Sequence, residues 1–291
     1  MCGFVGVLRF DGSPVERGRL QRMTDAVAHR GPDGEGLWIG DGVGLGHRRL
    51  TVIDLTDAAH QPMVARDDRF VLVYNGEIYN FRELRKVLIN LGYQFFSSGD
   101  TEVVLNSLIE WGPSAVSRFN GMFALALWDD EERRLLLARD RYGIKPLYTW
   151  GSDGTFLFSS EQRGIIESGL IAESLDLSAL VEYFTFQNII SNRTLMEGIS
   201  IFPAGCIGIL DDNLADPKLK YTRYWDFAFE EPKTRVDKQE HVEELTRLFR
   251  LAVDRQLVAD VEVGAYLSGG MDSSSIAAVA SMSLPGLKTF T

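Results

Sequence analysis

Cys2 follows the initiator methionine in the segment Met1-Cys2-Gly3-Phe4. The small side chain at position 2 favours removal of Met1, and Cys2 would then carry both a thiol and a free α-amine. The thiolate is the reactive form of cysteine, and an α-amine titrates at about pH 8. The amine can therefore take the thiol proton, directly or through a water molecule, so Cys2 is a candidate nucleophile. An early cysteine also suits an edge strand, and the catalytic interpretation depends on the other motifs.

A second candidate site follows the apolar segment Val263–Leu267, which predicts a buried strand. The next residues are Ser268-Gly269-Gly270-Met271-Asp272-Ser273-Ser274, and a helix is predicted from about Ser275. A strand, a glycine loop and a helix present successive backbone N–H groups to phosphates. Asp272 is placed to hold Mg²⁺ against phosphate oxygens. The loop lacks the P-loop lysine, and the alternative is a plain glycine turn with a serine helix cap.

The loop resembles the pyrophosphate loop of the ATP pyrophosphatase family, whose members adenylate a substrate and release pyrophosphate. Together with the Met-Cys-Gly start, the chain resembles the glutamine-hydrolysing asparagine synthetase family. That resemblance implies ATP binding by Leu267, Ser268, Gly269, Gly270, Asp272, Ser273 and Ser274, with Mg²⁺ at Asp272.

Further segments match the class II glutamine amidotransferase pattern across residues 2–210. They are His29-Arg30-Gly31-Pro32-Asp33, Gly46-His47-Arg48-Arg49-Leu50, Asn75-Gly76-Glu77-Ile78-Tyr79-Asn80, Ser98-Gly99-Asp100-Thr101-Glu102, and Arg139-Asp140-Arg141-Tyr142-Gly143-Ile144-Lys145-Pro146-Leu147-Tyr148. The resemblance implies that Cys2 attacks the glutamine amide, with Asn75 and the N–H of Gly76 as the oxyanion hole. It implies that Arg49 binds the substrate carboxylate and that Glu77 and Asp100 bind its ammonium. Gly76 would also leave room for substrate.

Each of these residues has a simpler interpretation when taken alone. Asn75-Gly76 is a favoured turn pair after a strand. Arg49 can form a solvated basic pair with Arg48. Asp100 can cap the helix that begins at Thr101. His29 and Arg30 are expected to hold the Gly31-Pro32 turn rather than to act in catalysis.

The composition of the 291-residue chain is that of an ordinary soluble protein of two domains, with 45% hydrophobic and 24% charged residues. Because the net charge is −11, non-specific electrostatic binding to nucleic acid or to an anionic membrane is not expected. The two cysteines, Cys2 and Cys206, give neither a disulfide framework nor a metal-ligand pattern, so a reducing cytoplasmic compartment is predicted. No apolar run reaches the length of a membrane span.

The pattern of short apolar runs and amphipathic stretches predicts mixed sheets faced by helices. Strands are predicted at Gly3–Phe10, Gly42–Arg48, Phe70–Tyr74, Met122–Trp128, Arg134–Arg139, Leu147–Trp150, Thr155–Ser159 and Cys206–Leu210. Helices are predicted at Glu16–Ala28, Phe81–Leu91, Thr101–Glu110, Glu161–Ser168, Ser178–Phe184 and Lys238–Leu257, the last with Asp237 and Glu240 as a capping box.

The resemblance implies an α+β N-terminal-nucleophile sandwich, layered αββα, over residues 2–210. A linker is predicted over 211–236, and the beginning of an α/β parallel-sheet ATP-pyrophosphatase domain over 237–291. A further strand is predicted from Leu287. Because the family continues beyond this point, these residues are expected to be a fragment that hydrolyses glutamine at best.

The predicted function is glutamine-dependent asparagine synthesis. Glutamine, aspartate and ATP would be the substrates, and the family is compatible with a homodimer. Ammonia would pass through a closed apolar passage to an aspartyl-adenylate, because bulk water would protonate it. One alternative is a related ATP-dependent enzyme that acts on another carboxylate, of a sugar, peptide or antibiotic pathway. The other is a non-catalytic regulatory protein that retains the fold.

Overall fold

The computed structural model describes residues 1–152, 154–211, 219–230 and 237–291. Contacts between Cα atoms divide the chain into two compact units. The first comprises Met1–Thr51 and Thr56–Asp226, and the second Val52–Leu55 and Phe227–Thr291.

The first unit contains two six-stranded sheets. Its strands are β1 (Gly3–Arg9), β2 (Gly34–Gly40), β3 (Val43–Arg49), β4 (Met63–Val64), β5 (Phe70–Ile78), β6 (Gly121–Asp129), β7 (Arg134–Arg139), β8 (Tyr148–Ser152), β9 (Thr155–Ser159), β10 (Ser200–Ile201), β11 (Cys206–Asp211) and β12 (Lys220–Arg223). The first sheet has the order β10-β8-β9-β1-β3-β2, and the second β12-β11-β7-β6-β5-β4. Every strand pair in both sheets is antiparallel.

The main hydrophobic core lies between these two sheets. Alternate residues of each strand point to one face, so one face of each sheet supplies the core. The first sheet contributes residues such as Phe4 and Leu45, and the second contributes residues such as Val73 and Trp128, all of them fully buried. The opposite face of β1, with Val5, packs against the helices on the outside of the first sheet.

Helices cover the outer faces and complete four layers. They are α1 (Arg17–Asp25), α2 (Phe81–Asn90), α3 (Thr101–Trp111), α4 (Gln162–Ile166) and α5 (Leu177–Phe186). Leu20 and Met23 of α1 and Ile165 of α4 pack on the first sheet, and α3 packs on β4 and β5 of the second. The predicted αββα sandwich is confirmed.

The second unit contains two helices and a short parallel sheet. Its elements are α6 (Lys238–Gln256), β13 (Gly264–Tyr266), α7 (Met271–Ser283) and β14 (Lys288–Phe290), with β13 parallel to β14. The Asp237 side chain caps α6 by accepting from the N–H of Gln239 at 3.1 Å, as predicted, whereas the described contacts include no return bond from Glu240. Burial of β13 was predicted wrongly, since Tyr266 is 86% exposed. Among the described residues, the sheet of this unit has only two strands.

The predicted linker, 211–236, lies partly outside the described residues, which omit 212–218 and 231–236. Within it, β12 pairs with β11 and extends the second sheet. The predicted domain limits at 210 and 237 stay predictions. Among the residues that the structure describes, no helix combines the length and apolarity needed to cross a bilayer.

Candidate active site

Cys2 lies immediately before β1, next to the end of β3. Gly3 is opposite Arg48 in the β1–β3 register. The Sγ atom of Cys2 lies 3.4 Å from the backbone N of Leu50, which donates to it, and 3.6 Å from the Leu50 carbonyl oxygen. Side-chain alternation puts Cys2 on the same face of β1 as Phe4, which belongs to the core between the sheets. Burial raises the pKa of the Cys2 thiol, so the resting group is a thiol and nucleophilic attack requires a base.

The backbone of Cys2 is held by Arg30. Arg30 Nε donates to the Cys2 carbonyl oxygen at 2.9 Å, and Nη1 forms an ion pair with Glu161 Oε1 at 2.8 Å. His29 Nε2 lies 3.0 Å from the same Glu161 oxygen. The sequence assigned Arg30 only to a turn, and this interpretation missed the contact of Arg30 with Cys2, the candidate nucleophile. Glu161 is 131 positions away, so no local pattern could reveal this pairing.

One edge of β5 offers a backbone donor. Successive N–H groups along a strand point to opposite edges. Tyr79 N donates to Asn120 towards β6, at 2.8 Å. Tyr74 N and Ile78 N therefore face the other edge, where they donate to the side chains of Gln61 at 2.6 Å and Asp100 at 2.9 Å. The N–H of Gly76 lies between them on this edge, because the short β4 pairs only with Val71 and Leu72.

Asn75, the residue before Gly76, supplies a second donor, which is buried. Its side chain is on the face of β5 that carries Val73 and therefore points between the two sheets. Asn75 is 1% exposed, and its Nδ2 has no hydrogen-bond partner among the described residues. A buried N–H without an acceptor costs free energy, so its presence points to a ligand oxygen.

The simpler interpretation of Asn75-Gly76 as a turn is wrong, because both residues lie inside β5, opposite Ala124 and Phe123 of β6. The structure adds a second reason for glycine at position 76, and the predicted room for substrate stays a prediction. A Cβ atom on Gly76 would lie 2.4 Å from the carbonyl oxygen of Met122. Glycine is therefore required for the close approach of β5 and β6.

Asp100 lies at the start of α3, but its side chain makes no cap hydrogen bond with that helix. Instead, its Oδ2 accepts from the Tyr74 hydroxyl at 2.8 Å and from Ile78 N at 2.9 Å. The simpler interpretation as a helix cap is therefore wrong. Burial raises the pKa of Asp100. Burial likewise raises the pKa of Glu77. The positive charge of Lys145 lowers this pKa, and the negative charge of Asp100 raises it.

Arg49 and His47 are on the inward face of β3, at the end nearest Cys2. Arg49 is 6% exposed, and its Nη1 donates to the Thr56 carbonyl oxygen at 2.7 Å, so it is not a solvated surface residue. His47 is completely buried, and its Nε2 lies 3.1 Å from the Tyr74 carbonyl oxygen. Burial lowers the pKa of His47 to about 3, so this ring is neutral and Nε2 donates. Its Nδ1 has no partner among the described residues.

The glycine-rich loop lies in the second unit, and α7 begins within it. This helix starts at Met271 rather than near Ser275, because Gly270 takes the extended conformation of an N-cap and Ser273 closes the loop. Ser273 Oγ accepts from Ser268 N at 3.2 Å and lies 3.0 Å from Ser268 Oγ. Gly269 has a φ of +76°, and nothing lies within 4 Å of a Cβ placed on it.

No side-chain cap serves the first turn of α7, so its N–H groups remain available beside an open loop. This arrangement fits an anionic group such as a phosphate. Asp272 supplies the one carboxylate of the loop. Within the described ranges, no three His, Cys, Asp or Glu side chains cluster as a metal site. A Mg²⁺ ion bound to this single carboxylate would take its other ligands from phosphate oxygens and water.

Curated relatives resemble almost the whole chain. Asparagine synthetase [glutamine-hydrolyzing] 3 of Bacillus subtilis is 39% identical over 96% of this chain and 45% of its own length. Amidase chry2 of Gibberella zeae is 33% identical over 97% of this chain and 43% of its own length. The chain thus spans less than half the length of these two relatives.

A solved structure shares the fold. It is the glutamine phosphoribosylpyrophosphate amidotransferase of B. subtilis, complexed with ADP and GMP, which aligns with a TM-score of 0.57 over 99% of this chain and 65% of that protein, at 16% identity. Residues 244–291 match the asparagine synthase family model. Residues 1–225, more than half of the chain, match the glutamine amidotransferase domain model. The chain therefore belongs to the glutamine amidotransferase domain family.

Proposed function

We propose that the first unit hydrolyses glutamine to glutamate and ammonia, with Cys2 as the nucleophile after removal of Met1. The observation that carries this proposal is the Nδ2 group of Asn75, which is buried, has no acceptor among the described residues, and lies on the inward face of β5. With the N–H of Gly76 it forms a pair of donors from adjacent residues. Such a pair suits an oxygen that becomes negatively charged during the reaction.

The first step forms a thioester. The α-amine of Cys2 takes the thiol proton, and Sγ attacks the carboxamide carbon of glutamine. The carbonyl oxygen becomes an oxyanion that Asn75 Nδ2 and Gly76 N–H stabilise. The C–N bond then breaks, and the departing nitrogen takes the proton from the α-amine and leaves as ammonia.

The second step restores the enzyme. A water molecule gives a proton to the α-amine and attacks the thioester carbon, and the same two donors stabilise the second oxyanion. The C–S bond breaks, glutamate leaves, and Sγ recovers its proton. The sum is glutamine plus water giving glutamate plus ammonia.

Arg49, Glu77 and Asp100 are proposed to bind the amino-acid end of glutamine. Arg49 would bind the α-carboxylate, and the two carboxylates would bind the α-ammonium. Burial at the inward end of β3 supports Arg49, because a buried guanidinium binds a carboxylate more strongly than an exposed one does. Asp100 uses Oδ2 to hold β5, which fixes the carboxylate beside the strand that carries Asn75 and Gly76.

We further propose that the ammonia serves asparagine synthesis from aspartate and ATP, in the cytoplasm. The match of residues 244–291 to the asparagine synthase model and the name of the B. subtilis relative support this proposal. The loop from Leu267 to Ser274 would bind the phosphates through backbone N–H groups and serine hydroxyls. Bound Mg²⁺ would neutralise phosphate charge there, held in part by Asp272. A homodimer stays a prediction.

A different acceptor is the second candidate, and the similarity to amidase chry2 favours it. The two candidates differ in the carboxylate that is activated. A protein that carries the complete synthetase domain of the relatives should release pyrophosphate from ATP when aspartate is added. Release with another carboxylate but not with aspartate would favour the second candidate. Asp272→Ala should abolish this release, and unchanged release would rule out its role.

The glutaminase proposal can be tested by trapping the thioester. After incubation with isotope-labelled glutamine and an acid quench, mass spectrometry of the N-terminal peptide should show a glutamyl adduct on Cys2. Met1 should be absent from the same peptide. A retained Met1, together with no glutamate release, would favour a non-catalytic protein.

A further inference from the structure

The segment Arg139–Tyr148 was recognised in the sequence but has no role in the proposed reaction. The structure shows that Asp140 organises it. Asp140 is completely buried. Its Oδ1 accepts from Tyr142 N at 3.1 Å and Ile144 N at 2.9 Å, and its Oδ2 from Lys145 N at 3.0 Å and Phe123 N at 3.2 Å. A single carboxylate thus fastens the loop to β6.

This attachment fixes the loop to the residue of β6 that lies opposite Gly76. Phe123, whose N–H binds Asp140, is the residue of β6 opposite Gly76. The position of Lys145 is therefore coupled, through two hydrogen-bonded strands, to the strand that carries Asn75 and Gly76.

The buried side chain of Lys145 reaches the first residue of the chain. The residue is 3% exposed, and its Nζ lies 2.8 Å from Met1 Sδ. None of the ion pairs formed by the described residues includes Lys145. Burial lowers the pKa of Lys145, Arg30 acts in the same direction, and Glu77, Cys2 and Asp140 oppose it.

Removal of Met1 changes this arrangement. The thioether that Nζ contacts is lost, and the backbone nitrogen of Cys2 becomes the α-amine. In the chain that retains Met1, burial lowers the pKa of the Met1 amine, Arg30 and Lys145 lower it further, and Cys2 and Glu77 raise it. Arg30 acts on this amine more strongly than Lys145 does, and it is held by the Cys2 carbonyl oxygen and by Glu161. Lys145 is the second cation, and Glu77 is the carboxylate whose charge acts most strongly on it.

We propose that Lys145 is a positioning residue for the nucleophile: its buried ammonium stands beside the Cys2 α-amine, keeps that amine uncharged at neutral pH and favours the thiolate over the thiol. The inference rests on the proposed glutaminase function. Like charges repel, so an ammonium at Lys145 disfavours a proton on the amine. Opposite charges attract, so the same ammonium stabilises the thiolate once the amine has taken its proton. Both effects extend the reactivity of Cys2 to lower pH.

The test measures the rate at which iodoacetamide alkylates Cys2 as a function of pH, by mass spectrometry of the N-terminal peptide from protein that lacks Met1. Lys145→Met should move the acid limb of this profile up by about one pH unit, since a like charge nearby shifts a pKa by that order. Lys145→Arg, which keeps the charge, should restore most of the parental profile. Lys86→Met, at an exposed position of α2, is the matched control and should leave the profile unchanged.

A Lys145→Met profile that superimposes on the parental one would overturn the proposal. If this variant does not fold, Lys145→Gln, which removes the charge but keeps a polar side chain, provides a second test. NMR titration of protein labelled with α-¹⁵N-cysteine should show the Cys2 amine of Lys145→Gln losing its proton at a higher pH than that of the parent, because a like charge has been removed. Equal titration of the two amines would equally overturn the proposal. Alkylation needs no glutamine, so a protein with the expected profile but no glutamate release would contradict only the glutaminase function.

Discussion

The guanidinium group of Arg30 connects the backbone of Cys2 to the carboxylate of Glu161. Its Nε donates to the Cys2 carbonyl oxygen at 2.9 Å, and its Nη1 lies 2.8 Å from Glu161 Oε1. This pairing joins the start of β1 to the residue before α4. The position of Cys2, the proposed nucleophile, therefore depends on a contact between two distant segments of the chain.

Arg30→Ala should lower the kcat of glutamine hydrolysis by roughly 10²-fold, because a displacement of the nucleophile by about 1 Å has an effect of that order. The KM for glutamine should change much less, since Arg30 is not proposed to bind substrate. Arg30→Lys should restore little, because lysine lacks the fork that contacts two acceptors. Arg22→Ala, at an exposed position of α1, is the control. An Arg30→Ala protein with parental kcat would contradict this assignment.

Cys2→Ala should abolish glutamate release, because no other group near β1 can form the thioester. The matched control is Cys206→Ala, which replaces the other free cysteine of the described chain and should keep the parental activity. Cys206 is buried in the core between the sheets, so its replacement is expected to lower stability without changing the chemistry. Glutamate release measured at saturating glutamine separates the two variants. Activity retained by Cys2→Ala would remove the nucleophile assignment.

Asn75→Ala should lower kcat by about 10²–10³-fold, the usual effect of losing one oxyanion donor. Asn80→Ala gives a useful contrast. Asn80 uses its side chain within the fold, donating to the Arg118 carbonyl oxygen at 3.0 Å and accepting from Asn120 N at 2.8 Å. Its loss should reduce the free energy of unfolding by about 1–3 kcal/mol and leave kcat largely intact. Equal kcat values for Asn75→Ala and the parent would show that Asn75 is not a donor in the reaction.

His47 should make the fold sensitive to acid. Burial lowers the pKa of His47 from 6.5 to about 3, so between these values the unfolded chain binds a proton that the folded chain does not. The free energy of unfolding therefore falls as the pH falls through this window, by about 1.4 kcal/mol per pH unit from this group. His47→Gln keeps a donor for the Tyr74 carbonyl and removes the titration.

Urea unfolding at pH 6.5 and pH 5 checks this expectation. The parent should lose about 2 kcal/mol more than His47→Gln over this interval. Equal losses in the two proteins would mean that His47 does not remain neutral in the folded state.

The sequence predicted the order of the main elements well because apolar runs with a clear period define them. Arg134–Arg139 and Thr155–Ser159 have the same limits in the prediction and in the structure. The strand β2 was missed, since Gly34–Gly40 contains three glycines and little alternation. The predicted strand ended at Tyr74, because Asn75-Gly76 is a turn signal, whereas β5 extends to Ile78. The strand continues because residues 75–78 pair with β6, which is distant in sequence, and Asp100 binds the N–H of Ile78.

The candidate site was found from motifs, and its geometry came only from the structure. The sequence could not show that Asp100 holds Tyr74 and Ile78 rather than α3, since this depends on how α3 packs on β5. It likewise could not show the contact of Lys145 with Met1, which is 144 positions away. Motifs indicate which residues belong together, and tertiary packing decides which atoms meet.

The side chains of Gln61 and Asp100 have an effect on the sheet as a whole. An uncovered strand edge can pair with a strand from another molecule, which leads to aggregation. These two side chains occupy the N–H groups of Tyr74 and Ile78 on either side of Gly76. The second sheet ends at the short β4, and beyond β4 these two side chains, rather than a further strand, cover the edge of β5. The N–H of Gly76 between them is the one for which we propose the substrate oxygen as acceptor.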